Sequence, residues 1–273
     1  MEKSVRKRII IAAAYLAVFA LVVFGIYSLL KPEETCVDGV KNQNEEDIDC
    51  GGVCKKCEKM EALDLKIINY GFLESGAPGE YDFWAMLENP NGTLGTGKFR
   101  YEAIFKDAEG RVISQKTGES FILPGEKKYI VENNILSPDR PVSAEIKLKE
   151  AEWVEFIDFF EEPNLKVINK KYEQITSGVG FSQAVGLLKN ESPYDFDLIT
   201  IRVVLRDASG KVLAVNSTEM RTVRSGDERG FEVDWPGSFP GDVSAVDVQP
   251  EVNIFSSEAF LKSNFRTRAF QRY

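Results

Sequence analysis

The chain opens with an unbroken apolar run, Ile9 to Leu30, and nothing later in it repeats that pattern. At about 1.5 Å per residue the run predicts a helix of roughly 33 Å, enough for a hydrocarbon core of about 30 Å. Lys3, Arg6, Lys7 and Arg8 precede it, and Lys31, Pro32, Glu33 and Glu34 follow. That asymmetry predicts a cytoplasmic leader over 1–8, a single-pass transmembrane signal anchor over 9–30, and an exported remainder. A cleaved signal peptide competes with this reading. Its apolar stretch is usually about 7–15 residues and closes at a small-residue cleavage site, a pattern this run lacks.

Past the run the pattern becomes two-fold. Tyr101, Ala103 and Phe105 alternate with Arg100, Glu102 and Lys106, and the β-branched stretch Leu198 to Leu205 plays the same part later. Each leads into a four-residue turn, Asp107-Ala-Glu-Gly and Asp207-Ala-Ser-Gly, with glycine where positive φ is usual. The two stretches belong to a longer repeat. LKIIN at Leu65 returns as LKVIN at Leu165, and KDAEGRVI at Lys106 as RDASGKVL at Arg206, both 100 residues on. PGE at Pro124 returns as SGD at Ser225, and PVSAE at Pro141 as DVSAV at Asp242, both 101 residues on. Two copies of one fold follow, over 60–160 and 164–257, with a short joint at Glu161, Glu162 and Pro163. About seven short strands per hundred residues, with regular turns, describe an immunoglobulin-like sandwich. The predicted class is mainly β: two tandem immunoglobulin-like β-sandwiches after one transmembrane helix and a small disulfide-rich module.

That module occupies 31–59 and holds every cysteine, Cys36, Cys50, Cys54 and Cys57. A segment this small has no room for a core, and thiols outside a membrane oxidise, so two disulfides are expected. Three connectivities are open. Zinc is the rival, although C-x13-C-x3-C-x2-C supplies one close cysteine pair where a zinc ribbon supplies two. The acidic loop between Cys36 and Cys50 offers Asp38, Asn42, Glu45 and Asp49 as hard oxygen ligands for calcium, without the spacing of an EF-hand. A solvated acidic loop is the plainer reading.

This segment resembles a short cysteine motif of bacterial and archaeal surface proteins, C-x-D-G-x2-N-x2-E-x3-D-C-G-G-x-C-x2-C. The residues that carry it are Cys36, Asp38, Gly39, Asn42, Glu45, Asp49, Cys50, Gly51, Gly52, Cys54 and Cys57. The resemblance implies an extracellular stalk or spacer. Both repeats in turn resemble the FxLYD domain and its relatives, immunoglobulin-like sandwiches of envelope proteins. Gly186, Leu188, Asn190, Leu205, Asp207 and Gly210 carry the likeness in the second copy. In the first, Leu87, Asn89, Phe105, Asp107, Gly110 and Leu123 to Glu126 carry it, with Ala85 in place of the early glycine. Ala103 and Val203 stand where the family has its leading phenylalanine. The resemblance implies a structural or binding module and brings no catalytic residues.

Charge narrows the function. The chain carries −9, of which residues 1–31 carry a net +4, leaving −13 on the rest. Nucleic acid is thereby disfavoured as a partner. There is no histidine, which removes the Ser-His and Cys-His pairs. Trp84, Trp153 and Trp235 read as core and edge residues. Asn91-Gly-Thr, Asn190-Glu-Ser and Asn216-Ser-Thr are formal glycosylation sequons. The tail over 258–273 reverses the charge with Lys262, Arg266, Arg268 and Arg272 among aromatics, and is read as a candidate partner-binding segment, an arm for acidic wall polymer, a frayed terminus or a helix packed on the second sandwich. The expectation is a non-enzymatic, cofactor-free envelope protein that binds a protein or envelope partner through its repeats. An accessory subunit of a transport, secretion or pilus complex is the alternative.

Overall fold

A computed structural model describes residues 3–30, 35–36, 41–46, 49–56, 62–156, 162–177, 179–257 and 271–272. Helix α1 runs Lys3–Leu30. Its described side chains are apolar on every face and exposed, Tyr15, Phe19, Leu21 and Phe24 among them. Among the described residues no helix is long and apolar enough to cross a membrane. The apolar side chains described in α1 cover only 10–26, just short of the usual span of about 20 residues.

The chain divides into two compact units, Met1–Met60 and Glu61–Tyr273. The second holds both repeats. Strands β1 (Lys66–Glu74), β2 (Glu80–Glu88), β3 (Leu94–Lys106), β4 (Val112–Ile122), β5 (Lys127–Leu136) and β6 (Ser143–Glu155) build the first. Strands β7 (Leu165–Gln174), β8 (Ser182–Asn190), β9 (Phe196–Arg206), β10 (Val212–Val223), β11 (Glu228–Trp235) and β12 (Ala245–Glu251) build the second. The first forms sheets β1-β2-β5 and β6-β3-β4, the second β7-β8-β11 and β12-β9-β10. Strand for strand, the topology is written twice. Each copy has six strands where about seven were expected, and every pairing is antiparallel.

Side-chain alternation explains the layers. Along β8 every second residue is buried, from Ser182 to Asn190. Tyr101, Ala103 and Phe105 of β3 point into the first core with Phe83, Ala85 and Leu87 of β2. Ile199, Ile201, Val203 and Leu205 of β9 do the same in the second, with Ala184 and Leu188 of β8. Both hairpin glycines have positive φ, 78° at Gly110 and 83° at Gly210. The repeat register shifts more often than the four sequence blocks suggest, since β3 has 13 residues against 11 in β9 and carries bulges near Phe99.

The joint near Glu162 and Pro163 does not separate the copies. A third apolar cluster lies between them, made by Trp84, Tyr129 and Val131 of the first repeat with Val204, Val212 and Val215 of the second. These residues occupy the outer faces of β2 and β5, and of β9 and β10. The β1-β2-β5 sheet of one copy is therefore stacked on the β10-β9-β12 sheet of the other. The backbones also touch at one place: a Cβ on Gly76, whose φ is 97°, would lie 2.6 Å from Gly237 Cα. No other residue fits there.

Strand β13 (Gln271–Arg272) pairs Gln271 with Glu155 and Arg272 with Val154 on β6. The tail's described end adds to an edge of the first sandwich, where an antiparallel strand finds free backbone groups, and not to the second. Lys262, Arg266 and Arg268 lie outside the described residues.

The shared cluster makes a test. Residues 61–273 should unfold in one transition, and Trp84→Ala should lower its stability by about 3–5 kcal/mol. Val179→Ala, at a position 97% exposed, should leave it unchanged. Denaturant titration of the purified chain measures both. Two transitions, with Trp84→Ala shifting only one, would show that the repeats fold independently.

Candidate functional site

Three places were marked by the sequence: the cysteine module, the repeat surfaces and the tail. In the module, Cys36 and Cys54 form a disulfide. Closing a loop of 18 residues is worth about 3 kcal/mol in lost chain entropy. Cys50 is also disulfide-bonded, and Cys57 lies outside the described residues. The fold around the bridge is a series of turns, with positive φ at Gln43, Asn44, Asp49, Gly51 and Gly52. At Gly52 a Cβ would lie 2.3 Å from the Asn44 carbonyl oxygen, so the second glycine of the motif is sterically required.

Glu45 is the organising residue here. It is 5% exposed. Its Oε2 accepts from the backbone N–H groups of Asn42 at 3.1 Å and Asp49 at 3.2 Å. Its Oε1 lies 3.2 Å from Cys54 Sγ. Of the residues read as calcium ligands, Asp38 lies outside the described residues. Asn42 and Asp49 meet Glu45 through their backbone. The Glu45 carboxylate faces the interior of the module and not an open loop.

In the repeats, one asparagine per copy staples the fold. Asn89 Nδ2 donates to the carbonyls of Leu94 and Leu123 at 2.7 and 2.8 Å, and Asn190 Nδ2 to those of Tyr194 and Arg224 at 2.8 and 3.1 Å. Their Oδ1 atoms accept from the backbone of Asn91 and Ser192. The turn that follows is held the same way twice: Glu126 accepts from Leu123 N–H, and Asp227 from Arg224 N–H. Two sequons are thereby spent on structure. Asn190 is fully buried, and Asn91 is 7% exposed with Nδ2 donating to Leu63 and Asn89. An asparagine amide engaged in this way is no glycosylation acceptor in the folded chain. Asn216 is half-buried and donates to the Asp234 carbonyl at 2.7 Å.

The hairpin aspartates play a matching part. Asp107 accepts from the N–H groups of Glu109 and Arg111, and Asp207 from those of Ser209 and Lys211. Both carboxyls titrate below the ordinary range. For Asp107 the largest single influence is desolvation, which pushes upward and is outweighed by the Arg111 N–H and guanidinium and the Glu109 N–H. For Asp207 the Ser209 hydroxyl leads, against desolvation and with the Lys211 N–H.

The interface between repeats holds what the sequence did not announce. Lys128 of β5 and Glu251 of β12 pair at 3.2 Å with side-chain exposures of 0% and 1%. The lysine also donates to the Phe121 carbonyl at 2.8 Å and sits 3.5 Å over the Phe121 ring. Arg202 joins from β9, with Nε 3.1 Å from Glu251 and a guanidinium N–H donating to the Val131 carbonyl at 3.3 Å. Burial pushes the lysine's pKa down, against the pull of Glu251 and then Glu126. A second bridge runs from Tyr129 through Arg206 to Asp247. Gln249 closes the seam, accepting from Tyr129 N–H at 2.8 Å and donating to the Lys127 carbonyl at 2.7 Å. Beside these ions lies a cleft of about 500 Å³, lined by Lys98, Glu119, Arg202 and Glu251 together with Phe121 and Leu198 among others.

Lys128 and Glu251 gave no signal in the sequence, since Lys-Lys before a strand reads as a solvated start. The apolar partners did leave one. Phe83 to Leu87 and Val203 to Leu205 are continuous apolar runs, the pattern of a strand covered on both faces.

No family model and no curated protein matches the chain. Among solved structures it is similar to calcium binding domain CBD12 of CALX1.1, at 11% identity, with 73% of this chain and 85% of that one covered and a TM-score of 0.21. It is also similar to a putative beta-galactosidase from Bacteroides fragilis, at 10% identity and a TM-score of 0.16, over 63% of this chain and 32% of that one. At these scores neither likeness enters the argument below.

Two tests follow from the geometry. Glu251→Ala should cost about 3–5 kcal/mol by leaving Lys128 buried without its counter-ion. Lys128→Met should cost less, because Arg202 still faces Glu251. Chemical denaturation of both variants ranks them, and the reverse order would mean the lysine is not charged in the folded chain. The second test is pH. A carboxyl with a depressed folded pKa contributes stability above its unfolded value, near 3.8, and loses it as pH falls through the folded value. The melting-temperature gap between the parent and the Asp107→Asn/Asp207→Asn variant should therefore be widest above about pH 5 and narrow as pH falls below about 4. A gap independent of pH would show that the carboxylates hold the turns without titrating.

Proposed function

We propose that this chain is a single-pass, membrane-anchored envelope protein whose two FxLYD-like repeats form one rigid head that binds a protein or envelope partner. The observation that carries the reading is the packing of the repeats. Two sandwiches strung end to end would serve as a spacer. Two sandwiches stacked through an apolar cluster, a buried ion group and capped backbone form a fixed platform. Binding then costs little conformational entropy, which favours recognition over reach. Helix α1, 28 residues long and apolar on each described face, supports the anchor. Such a surface has no stable place in water. The basic leader supports a cytoplasmic N-terminus. The disulfide in the module supports an oxidising location for the rest.

The alternative, an accessory subunit of a membrane complex, requires the helix itself to recognise a partner. Ala12, Ala13, Ala14, Ala17, Ala20 and Gly25 supply the small residues that such packing uses.

Protease added to intact cells should remove residues 61–273 and spare an N-terminal tag. Loss of the tag with survival of the C-terminus would reverse the topology, and recovery of the chain in the soluble fraction would remove the anchor. Replacing Ile9 to Leu30 with an unrelated apolar helix should leave any complex seen on native gels intact. Dissociation would favour the accessory-subunit reading.

A further inference from the structure

We propose that reduction of the Cys36–Cys54 disulfide turns the corner it shares with Glu45 into a site for a zinc-class divalent metal. Each of the three residues offers one donor atom, and these atoms lie within 4.8 Å of one another. The telling contact is Glu45 Oε1 to Cys54 Sγ at 3.2 Å. A disulfide sulfur carries no hydrogen, so Cys54 cannot be the donor in this contact. The partners of the other oxygen are the N–H groups of Asn42 and Asp49, and no donor to Oε1 is found among the described residues. Glu45, a residue only 5% exposed, thus aims a carboxylate oxygen at an electron-rich sulfur, with no cation between them among the described residues. Such an arrangement calls for an explanation. A metal ion between the oxygen and two thiolates provides one, and it can enter only when the sulfurs are free of each other.

The dimensions suit the ion. Zinc binds sulfur at about 2.3 Å and carboxylate oxygen at about 2.0–2.2 Å, so a tetrahedral site has edges of about 3.6 Å from S to O and about 3.8 Å from S to S. The oxygen is already close to that spacing from one sulfur. The two sulfurs need only part to their own edge, and side-chain rotation at the turn-rich Cys36 and Cys54 supplies that. Two soft donors with one hard donor exclude calcium and select zinc or its neighbours. Glu45 is held by two backbone N–H groups on the oxygen that does not face the site, the kind of support that fixes a ligand's direction.

The step balances as follows. The S–S bond accepts two electrons and two protons from a dithiol, which closes to its own disulfide, or two electrons from a phosphine with water supplying the two protons and the oxygen of the phosphine oxide, giving two thiols. The metal then displaces both thiol protons and binds two thiolates and the carboxylate, with water in the fourth position.

The probe is Co2+ added to the purified full chain with and without a phosphine reductant, in the Cys50→Ser/Cys57→Ser background so that the other cysteines cannot contribute. The reduced chain should bind one equivalent, with a thiolate-to-cobalt charge-transfer band and tetrahedral ligand-field bands, and should release it to zinc. The oxidised chain should show neither band. Glu45→Gln should weaken binding by about tenfold or more and shift the ligand-field bands, because one protein ligand of three is lost. Cys36→Ser should abolish the charge-transfer pattern. The proposal is overturned if the reduced chain gives no charge-transfer band, if the oxidised chain binds equally, or if Cys36→Ser binds as before. It also fails if Glu45→Gln weakens binding without moving the ligand-field bands, since Glu45 would then be only a brace for the turns.

Discussion

Strand β5 is the edge of a three-stranded sheet, and an edge strand must do something with its outward backbone groups. Here the other repeat takes them. The Gln249 side chain meets Tyr129 N–H and the Lys127 carbonyl as a neighbouring strand would, and Arg202 reaches the Val131 carbonyl. Once those groups are covered, the residues between them are cut off from water. Lys128 then needs a counter-ion of its own, and Glu251 comes from the covering repeat to supply it. The apolar cluster around Trp84 lies on the same seam. Edge capping, ion pairing and apolar burial therefore depend on one another, and the loss of one exposes the others.

A buried ion pair is weak evidence for stability, since desolvation offsets much of the attraction. Its more plausible value here lies in orientation. Two sandwich faces with apolar residues alone could slide past each other at little cost. Lys128, with fixed acceptors in Glu251 and the Phe121 carbonyl, fits one register only. The Tyr129–Arg206–Asp247 bridge, farther along the seam, resists rotation about that point. Gly76 against Gly237 sets the closest approach of the backbones. A rigid head follows from these constraints together, and rigidity gives the binding proposal its physical basis.

Much of this was legible in the sequence, for identifiable reasons. The hairpins at Asp107 and Asp207 and the staples at Asn89 and Asn190 are local devices, so their residues lie close together in the chain and recur with the repeat. The seam is not local. Glu251 and Lys128 meet across more than a hundred residues, and no pattern near either one foretells the other. Its apolar half was visible in Phe83 to Leu87, where alternation fails, yet such a run also fits a central strand of a larger sheet. In the module, four cysteines foretold oxidation but left the pairing open, and the role of Glu45 depends on turns whose positive φ values span residues with and without side chains.

The two repeats contribute different faces to the seam, the β1-β2-β5 sheet from one and the β10-β9-β12 sheet from the other. Such an interface is heterologous, and the same step could add a third copy at either end. Surface chemistry argues against this at both ends. On β11 the outward positions are Glu228, Gly230, Glu232 and Asp234, all exposed, in strict alternation with buried Phe231, Val233 and Trp235. The apolar positions of that face on β8 are Val185 and Leu187, half-buried and smaller than Trp84 and Tyr129. On the other outer face, Arg100 pairs with Glu119 and Lys149 with Glu102, solvated ion pairs beside Ile104, which stands where the second copy has Val204. Each repeat turns its more charged sheet outward. Terminal units of stacked-repeat proteins carry polar outer faces in the same way.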